Sequence, residues 1–310
     1  MKVLIVGGAN IDITATTNDK YIPKDSNVGK VSLTFGGVGR NLSQSVALLG
    51  GEVSFLSAFS ADPFTGALIR DLEDRGIDTS LSFFGAPAPS YYVSVNDCGG
   101  EMISAVSQMD GIDHISADYL KGALKDKAFD LIAFDCNLQP GAISYLLSGK
   151  EPTFCDGVSS TKVLRLKEGL SRGGRLFLLK VNKLEAQSLV GYDIKDKKSL
   201  FTALDHISNM GVENVYITLG GHGVGYLTEG KKGYYTAPKA DVKNVSGGGD
   251  SFISGLIGAL LNKKPMDSWV LYGLAASKLA IESMGAATDN LSFNAIEELV
   301  SKIKKEVQYE

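Results

Sequence analysis

"KVLIVGGANIDI", residues 2–13, is an apolar run that breaks at Gly7-Gly8 and passes into the polar triplet NID. A buried strand that stops at a glycine pair is what a parallel sheet shows at its C-terminal edge, where open α/β sheets bind ligands. The chain therefore starts in its core. Outward from there, residues 14–35 are polar, broken by turn formers, and end in the alternating KVSLTF, which reads as an edge or lid strand. From Val38 to Leu49 the period becomes helical. Strands and helices then alternate: VSFLSAF (53–59), DPFTGALIRDLEDRG (62–76), DLIAFD (130–135), GAISYLLSG (141–149), RLFLLK (175–180), NKLEAQSLV (182–190) and NVYITLG (214–220). That rhythm predicts an α/β fold with a mostly parallel central sheet flanked by helices.

Two stretches break the rhythm, 14–35 and 81–106, the second containing SYYVSV, and both read as parts of a small β-sheet lid. The chain from Gly249 on is largely helical. With no repeat and no long linker, residues 1–310 are expected to form a single domain carrying that lid. At 310 residues and 44% apolar content the chain can bury a sizeable core, and 31 Lys and Arg against 35 Asp and Glu leave a net charge of -4. Such a balance excludes general attraction to nucleic acid or anionic membrane and points to a small-molecule partner. Three scattered cysteines without a C-x-x-C pair suggest neither disulfide framework nor zinc knuckle. The opening apolar run is far short of the ~20 residues that span a bilayer, so a soluble, cytoplasmic protein is expected.

Five clusters carry chemistry. In NVSGGGDSF (244–252), Gly247, Gly248 and Gly249 let backbone N–H groups approach an anion, and the following helix adds its positive dipole end. Asp250 would then stand in the first turn, able to take a proton from a hydroxyl attacking a phosphate. The plainer alternative is a turn with Asp250 as helix cap. In FGGVGRN (35–41), Gly36 and Gly37 open a helix and can admit a sugar, with Arg40 and Asn41 beside it; a tight loop is the alternative. Asn10 and Asp12 share one face of an extended segment and can grip adjacent hydroxyls, or simply end a strand. In KVNKLEA (180–186), the Asn182–Glu185 spacing suits the water shell of a Mg²⁺ or a capping box equally. TLGGHGVGY (218–226) offers a glycine turn to nucleotide phosphates or forms a plain hairpin, with His222 a surface residue. No P-loop, zincin or nucleophile-elbow motif is present.

The order of GGVGRN, NKLE, TLGGHGV and NVSGGGDSF over essentially the whole chain resembles the PfkB, or ribokinase-like, carbohydrate kinases. The resemblance implies a ribokinase-like three-layer fold and transfer of the ATP γ-phosphoryl group to a sugar hydroxyl. It makes Asp250 the base, Gly247 to Gly249 the anion hole and Glu185 a Mg²⁺ residue acting through water. Asn182, Thr218, Gly220, Gly221, Gly223 and Ser277 would surround the nucleotide. Pairing of two chains through their lids is a further implication. Within the family, GGANIDI, DSNVGK, GEM and DCN look like the branch that phosphorylates the ribose 5′-hydroxyl of pseudouridine. Asn10, Asp12, Ser26, Asn27, Gly36, Gly37, Arg40 and Asn41 would then line the substrate pocket, with the Asn27 amide on the base edge. Another nucleoside or sugar (adenosine, ribose, fructose) is the alternative substrate, and a non-catalytic ligand sensor the alternative class. The chain departs from the family at Gly248 for Ala, Ser246 for Thr, Val28 for Pro, and Asn244 for the Asp that helps hold a monovalent cation such as K⁺. The segment ISAVSQMDGID (103–113) also differs from that branch.

Overall fold

The computed structural model describes residues 1–244, 247–283 and 291–306. In chain order the strands are β1 (Lys2–Val6), β2 (Asn10–Thr17), β3 (Gly29–Gly36), β4 (Glu52–Leu56), β5 (Ala58–Ser60), β6 (Phe83–Ala86) and β7 (Tyr91–Asn96). Then follow β8 (Met102–Gln108), β9 (Leu131–Asp135), β10 (Thr153–Asp156), β11 (Leu176–Asn182), β12 (Val212–Thr218), β13 (Val224–Thr228) and β14 (Lys231–Tyr235). The helices are α1 (Val38–Leu48), α2 (Pro63–Asp74), α3 (Ala117–Ala123), α4 (Pro140–Leu147) and α5 (Val163–Ser171). They continue with α6 (Lys183–Val190), α7 (Lys197–Asn209), α8 (Gly248–Leu261), α9 (Trp269–Ile281) and α10 (Phe293–Glu306).

Eight strands form the main sheet in the order β14-β13-β12-β11-β10-β9-β1-β4, parallel from β12 to β4, with β13 and β14 antiparallel at one edge. Successive strand residues alternate between two cores, as the pleat requires. Val3 and Ile5 of β1 and Leu131 and Ala133 of β9 pack with α1, α2, α8, α9 and α10. Leu4, Val6, Ile132 and Phe134 pack with α3 to α7 on the other face. The fold is therefore three-layered α/β, and every parallel strand delivers its last residue to one edge.

A second sheet of four strands, β3-β2-β7-β8, stands off that edge. It takes in residues 10–36 and 91–108, so it begins four residues earlier than the expected stretch. The run expected as one strand, VSFLSAF, divides at Ser57: β4 stays in the main sheet, while β5 turns to pair with β6. Ser57 is the pivot, its N–H donating to Ser82 Oγ and its carbonyl accepting from Phe83 N. β6 therefore belongs to a separate ribbon and not to the four-stranded sheet. The pattern also left out β10, α3, α5 and α7; β10 has only four residues, all buried, too few to show a period.

Candidate active site

Two neighbouring parallel strands end in carboxylates. β9 closes on Asp135 and β10 on Asp156, and Lys180 sits in register with Asp156 on the neighbouring β11. All three are buried. Asp135 accepts from the N–H groups of Gly8 at 2.8 Å and Gly39 at 3.0 Å through one oxygen, and from Asn137 N–H at 2.9 Å through the other. It thus ties the glycine break after β1 to the first turn of α1. Burial raises its pKa above the usual carboxylate range, against those bonds.

α8 begins at Gly248 with Gly247 as its N-cap, at φ +77°, the left-handed region that favours glycine. Among the described residues no side chain caps it. Asp250 is the third helical residue, so the capping alternative does not hold. Its carboxylate instead accepts from Asn41 Nδ2 at 2.9 Å, which joins the two glycine-led helix starts across the site. Burial first, then the Asp156 charge, lift the Asp250 pKa to about 6; Lys180 and the Asn41 bond pull downward, and Asp135 adds to the rise. A carboxyl so placed is ionised near neutrality yet basic enough to accept a proton.

Glu185 does form the capping box with Asn182: Asn182 Oδ1 accepts from Glu185 N at 3.0 Å, and Glu185 Oε2 accepts from Asn182 N at 2.8 Å. Glu185 is also buried, and burial together with Asp156 lifts its pKa to about 7, against Lys180 and the Asn182 bond, with Asp250 adding to the rise. The spacing is thus that of a capping box, formed by a carboxylate that is also buried at the strand ends. Among the described residues no three His, Cys, Asp or Glu side chains cluster tightly enough to cage a metal. The donor set is hard oxygen around one acid-rich edge, which fits a Mg²⁺ held mainly by water and phosphate.

Beside the α8 start lies a cavity of about 480 Å³. Thr218, Gly220, Gly221 and Gly223 line one side, Ser277 of α9 another, and Gly248 and Gly249 the end nearest Asp250, with Val224, Val242, Leu274 and Ile281 as apolar walls. An apolar slot leading to a helix N-terminus suits a nucleotide base and its phosphates. Asn182 is not among its walls; it ends β11 in register with Thr218. β12 and β13 do form the expected hairpin, and His222 is exposed.

On the lid side, Asn10 Nδ2 donates to Asp12 Oδ1, and the Asp12 carboxylate lies so close over Gly36 that a Cβ there would collide with it. Burial raises the Asp12 pKa to about 6, while the Asn10 bond and the Arg40 charge act against it. Arg40 is buried and pairs with Asp71 of α2 at 2.7 Å, so its guanidinium anchors α1. Ser26 is exposed, and the Asn27 amide is occupied within its own loop: Oδ1 accepts from Ile22 N at 2.8 Å, and Nδ2 donates to the carbonyls of Ile22 and Asp25. The base-edge role expected of Asn27 is not supported in this arrangement, because both ends of the amide are engaged by backbone. Asn244 donates its N–H to the Ile281 carbonyl at 3.1 Å, just before the glycine turn. Ser246 lies outside the described residues.

None of Asp135, Asp156 and Lys180 was given a role from the sequence, although Asp135 opens DCN and Lys180 opens KVNKLEA. Their signal was there: an acid ending an apolar strand, or a lysine inside one, stands at the edge where α/β sheets bind ligands.

Known proteins agree with this geometry. Residues 1–97 and 152–292 match the pfkB family carbohydrate kinases, leaving out the stretch that holds β8, α3, β9 and α4. A pseudouridine kinase of Escherichia coli (strain K12) is 31% identical over 305 residues, 96% of each chain. The crystal structure of a putative sugar kinase from Clostridium perfringens aligns with a TM-score of 0.83 at 26% identity, covering 100% of this chain and 97% of that one. A structure of Arabidopsis thaliana ribokinase complexed with ribose and ATP aligns with a TM-score of 0.81 at 18% identity over 96% and 98% of the two chains, and shares the fold. No helix among the described residues is long and apolar enough to cross a membrane. By fold and by sequence, the chain belongs to the pfkB family of carbohydrate kinases.

Proposed function

We propose that the chain transfers the γ-phosphoryl group of ATP to the ribose 5′-hydroxyl of pseudouridine, giving pseudouridine 5′-phosphate and ADP. The observation that carries the chemistry is the Asp250 carboxylate, held by Asn41 beside an uncapped, glycine-led helix start. Similarity to a pseudouridine kinase over almost the whole chain supports the choice of nucleoside.

In this reading Asp250 accepts the hydroxyl proton as the oxygen forms its bond to phosphorus, and the N–H groups of Gly248, Gly249 and Asp250 receive the charge that develops. Asn10 presets Asp12, whose second oxygen remains to accept from a ribose hydroxyl. The cavity between Thr218 and Ser277 takes the nucleotide. Glu185 would hold a Mg²⁺ through water, and the ion when bound would supply charge neutralisation on the phosphates.

The four-stranded sheet is the lid of a single kinase domain and joins two chains into a homodimer. Leu33, Ile13, Val93 and Val106 lie in one cross-strand row, and Val31 and Val106 are 72% and 67% exposed. Light scattering tests this, with a dimer expected and Val106→Lys shifting it to monomer.

ADP release measured over pseudouridine, uridine, adenosine, ribose and fructose tests the substrate. Pseudouridine is expected to give the highest kcat/KM. Preference for a free hexose overturns the nucleoside reading, and binding without ADP release makes the protein a sensor.

A further inference from the structure

β11 reads LFLLKVN, an apolar strand interrupted by one lysine. Lys180 is 4% exposed, and its Nζ donates to Asp156 Oδ2 at 2.9 Å. Removing an ammonium from water is costly, and a buried ion pair is often no more stabilising than an apolar pair of the same volume. The strand gains nothing in packing from it.

Its position is informative. A Cβ built on Gly249 would stand 2.5 Å from Lys180 Nζ, so the ammonium rests against the first turn of α8, beside the amides that lead to Asp250. Asp156, Glu185 and Asp250 all act on it, and together with the Asp156 hydrogen bond they outweigh burial and hold its pKa above the ordinary lysine value. One ammonium thus pairs directly with Asp156 and lies within electrostatic reach of Glu185 and Asp250, at the point where the helix dipole is positive. A structural pair needs one acid and no contact with a helix start.

The geometry points to Lys180 as a catalytic residue whose ammonium contacts the transferring phosphoryl group, with Asp156 as the positioning residue that aims it. This rests on the reading above, in which phosphoryl transfer occurs at Asp250. In the step, the nucleoside oxygen forms its bond to the γ-phosphorus and its proton passes to Asp250, while the bond to the β-phosphate oxygen breaks and its electron pair leaves with ADP. Lys180 neither gains nor loses a proton. It neutralises charge on the phosphoryl oxygens as they pass between the two partners, and the absence of a Cβ on Gly249 leaves it room to do so.

The test uses Lys180→Met and the double variant Lys180→Met/Asp156→Asn, which removes both charges and leaves no buried ion unpaired. Melting temperature, calorimetric affinity for pseudouridine, affinity for a non-hydrolysable ATP analogue against ADP, and steady-state ADP release are measured. The double variant should melt near the wild type and bind pseudouridine as tightly, yet lose ~10²-fold or more in kcat, the scale of a lost electrostatic donor. It should also lose ~10-fold of the preference for the ATP analogue over ADP, the effect of about one charge-assisted bond. Asp156→Asn alone should lower kcat less, with the pseudouridine KM unchanged, because the ammonium remains but is less well aimed. A double variant that turns over within threefold of wild type, or keeps the full preference for the triphosphate, makes the pair structural and overturns the proposal. A wild type that releases no ADP with any acceptor refutes the kinase reading itself, a separate result from an active wild type with an equally active variant.

Discussion

Two helices in this molecule start after glycines, and the two starts have opposite fates. At α1 the N–H of Gly39 already points at a carboxylate, Asp135, so that end is filled by the protein itself. At α8 no side chain among the described residues caps the helix, and a group beside it is the ammonium of Lys180. A helix start with a built-in carboxylate is a structural joint; one left uncapped next to a cation is prepared for an anion. Asn41 links them, since it belongs to α1 yet donates to Asp250 of α8. The same glycine signal thus encodes a structural joint in one place and, in the proposed function, a phosphate seat in the other.

The comparison breaks first at Asp250. Asp250→Asn should keep pseudouridine binding and lower kcat by ~10²-fold or more in the ADP-release assay. The same change should raise stability at neutral pH. The native carboxyl has a pKa of about 6, above the ordinary 3.8, so the folded state binds more protons than the unfolded chain between those values. Stability from this group is therefore present at low pH and lost as pH rises through about 6, and the asparagine variant escapes that loss. Its melting temperature should exceed the wild type's at pH 8, with the gap closing toward pH 4. By the same titration, wild-type kcat/KM should fall as pH drops below about 6, because the base is then protonated.

At α1 the expected effect is on folding. Asp135→Ala strands the N–H groups of Gly8 and Gly39 and should cost about 3 kcal/mol, read by denaturant unfolding. Gly37→Ala should cost about 2 kcal/mol, since residue 37 sits at φ +98° and a Cβ there meets the backbone of Gly8 and Ala9. Gly249→Ala makes the contrast sharper. Its Cβ would meet the far end of the Lys180 side chain and not backbone, so it should cost less stability than Gly37→Ala while kcat falls ~10-fold through a displaced phosphate contact. Asn27→Ala should be smallest of all, shifting the pseudouridine KM by less than about threefold, as expected of a surface loop residue.

The layers, the parallel sheet and both glycine turns were legible because each rests on local chemistry: period, turn residues and backbone access. Asp250 and Asn41 were legible as separate candidates, but their bond was not, since it spans the chain from α1 to α8. Lys180 and Asp156 were missed for a related reason. Each is one charge in an apolar strand, and only the register of β10 on β11 turns them into a pair. Asn27 misled in the other direction, because an amide in a lid loop offers the same groups to a base as to its own backbone, and the backbone is nearer. Arg40 was grouped with the pocket by its place in GGVGRN; its guanidinium pairs with Asp71 on α2 while its charge also reaches Asp12, a link that spans separate elements.

The most direct test is a crystal structure of the protein with pseudouridine and a non-hydrolysable ATP analogue. The account predicts the γ-phosphate against the N–H groups of Gly248 to Asp250 and the ribose 5′-hydroxyl at ~3 Å from the Asp250 carboxylate, the reach of a general base. A γ-phosphate bound away from the α8 start, or a 5′-hydroxyl turned away from Asp250, would contradict it.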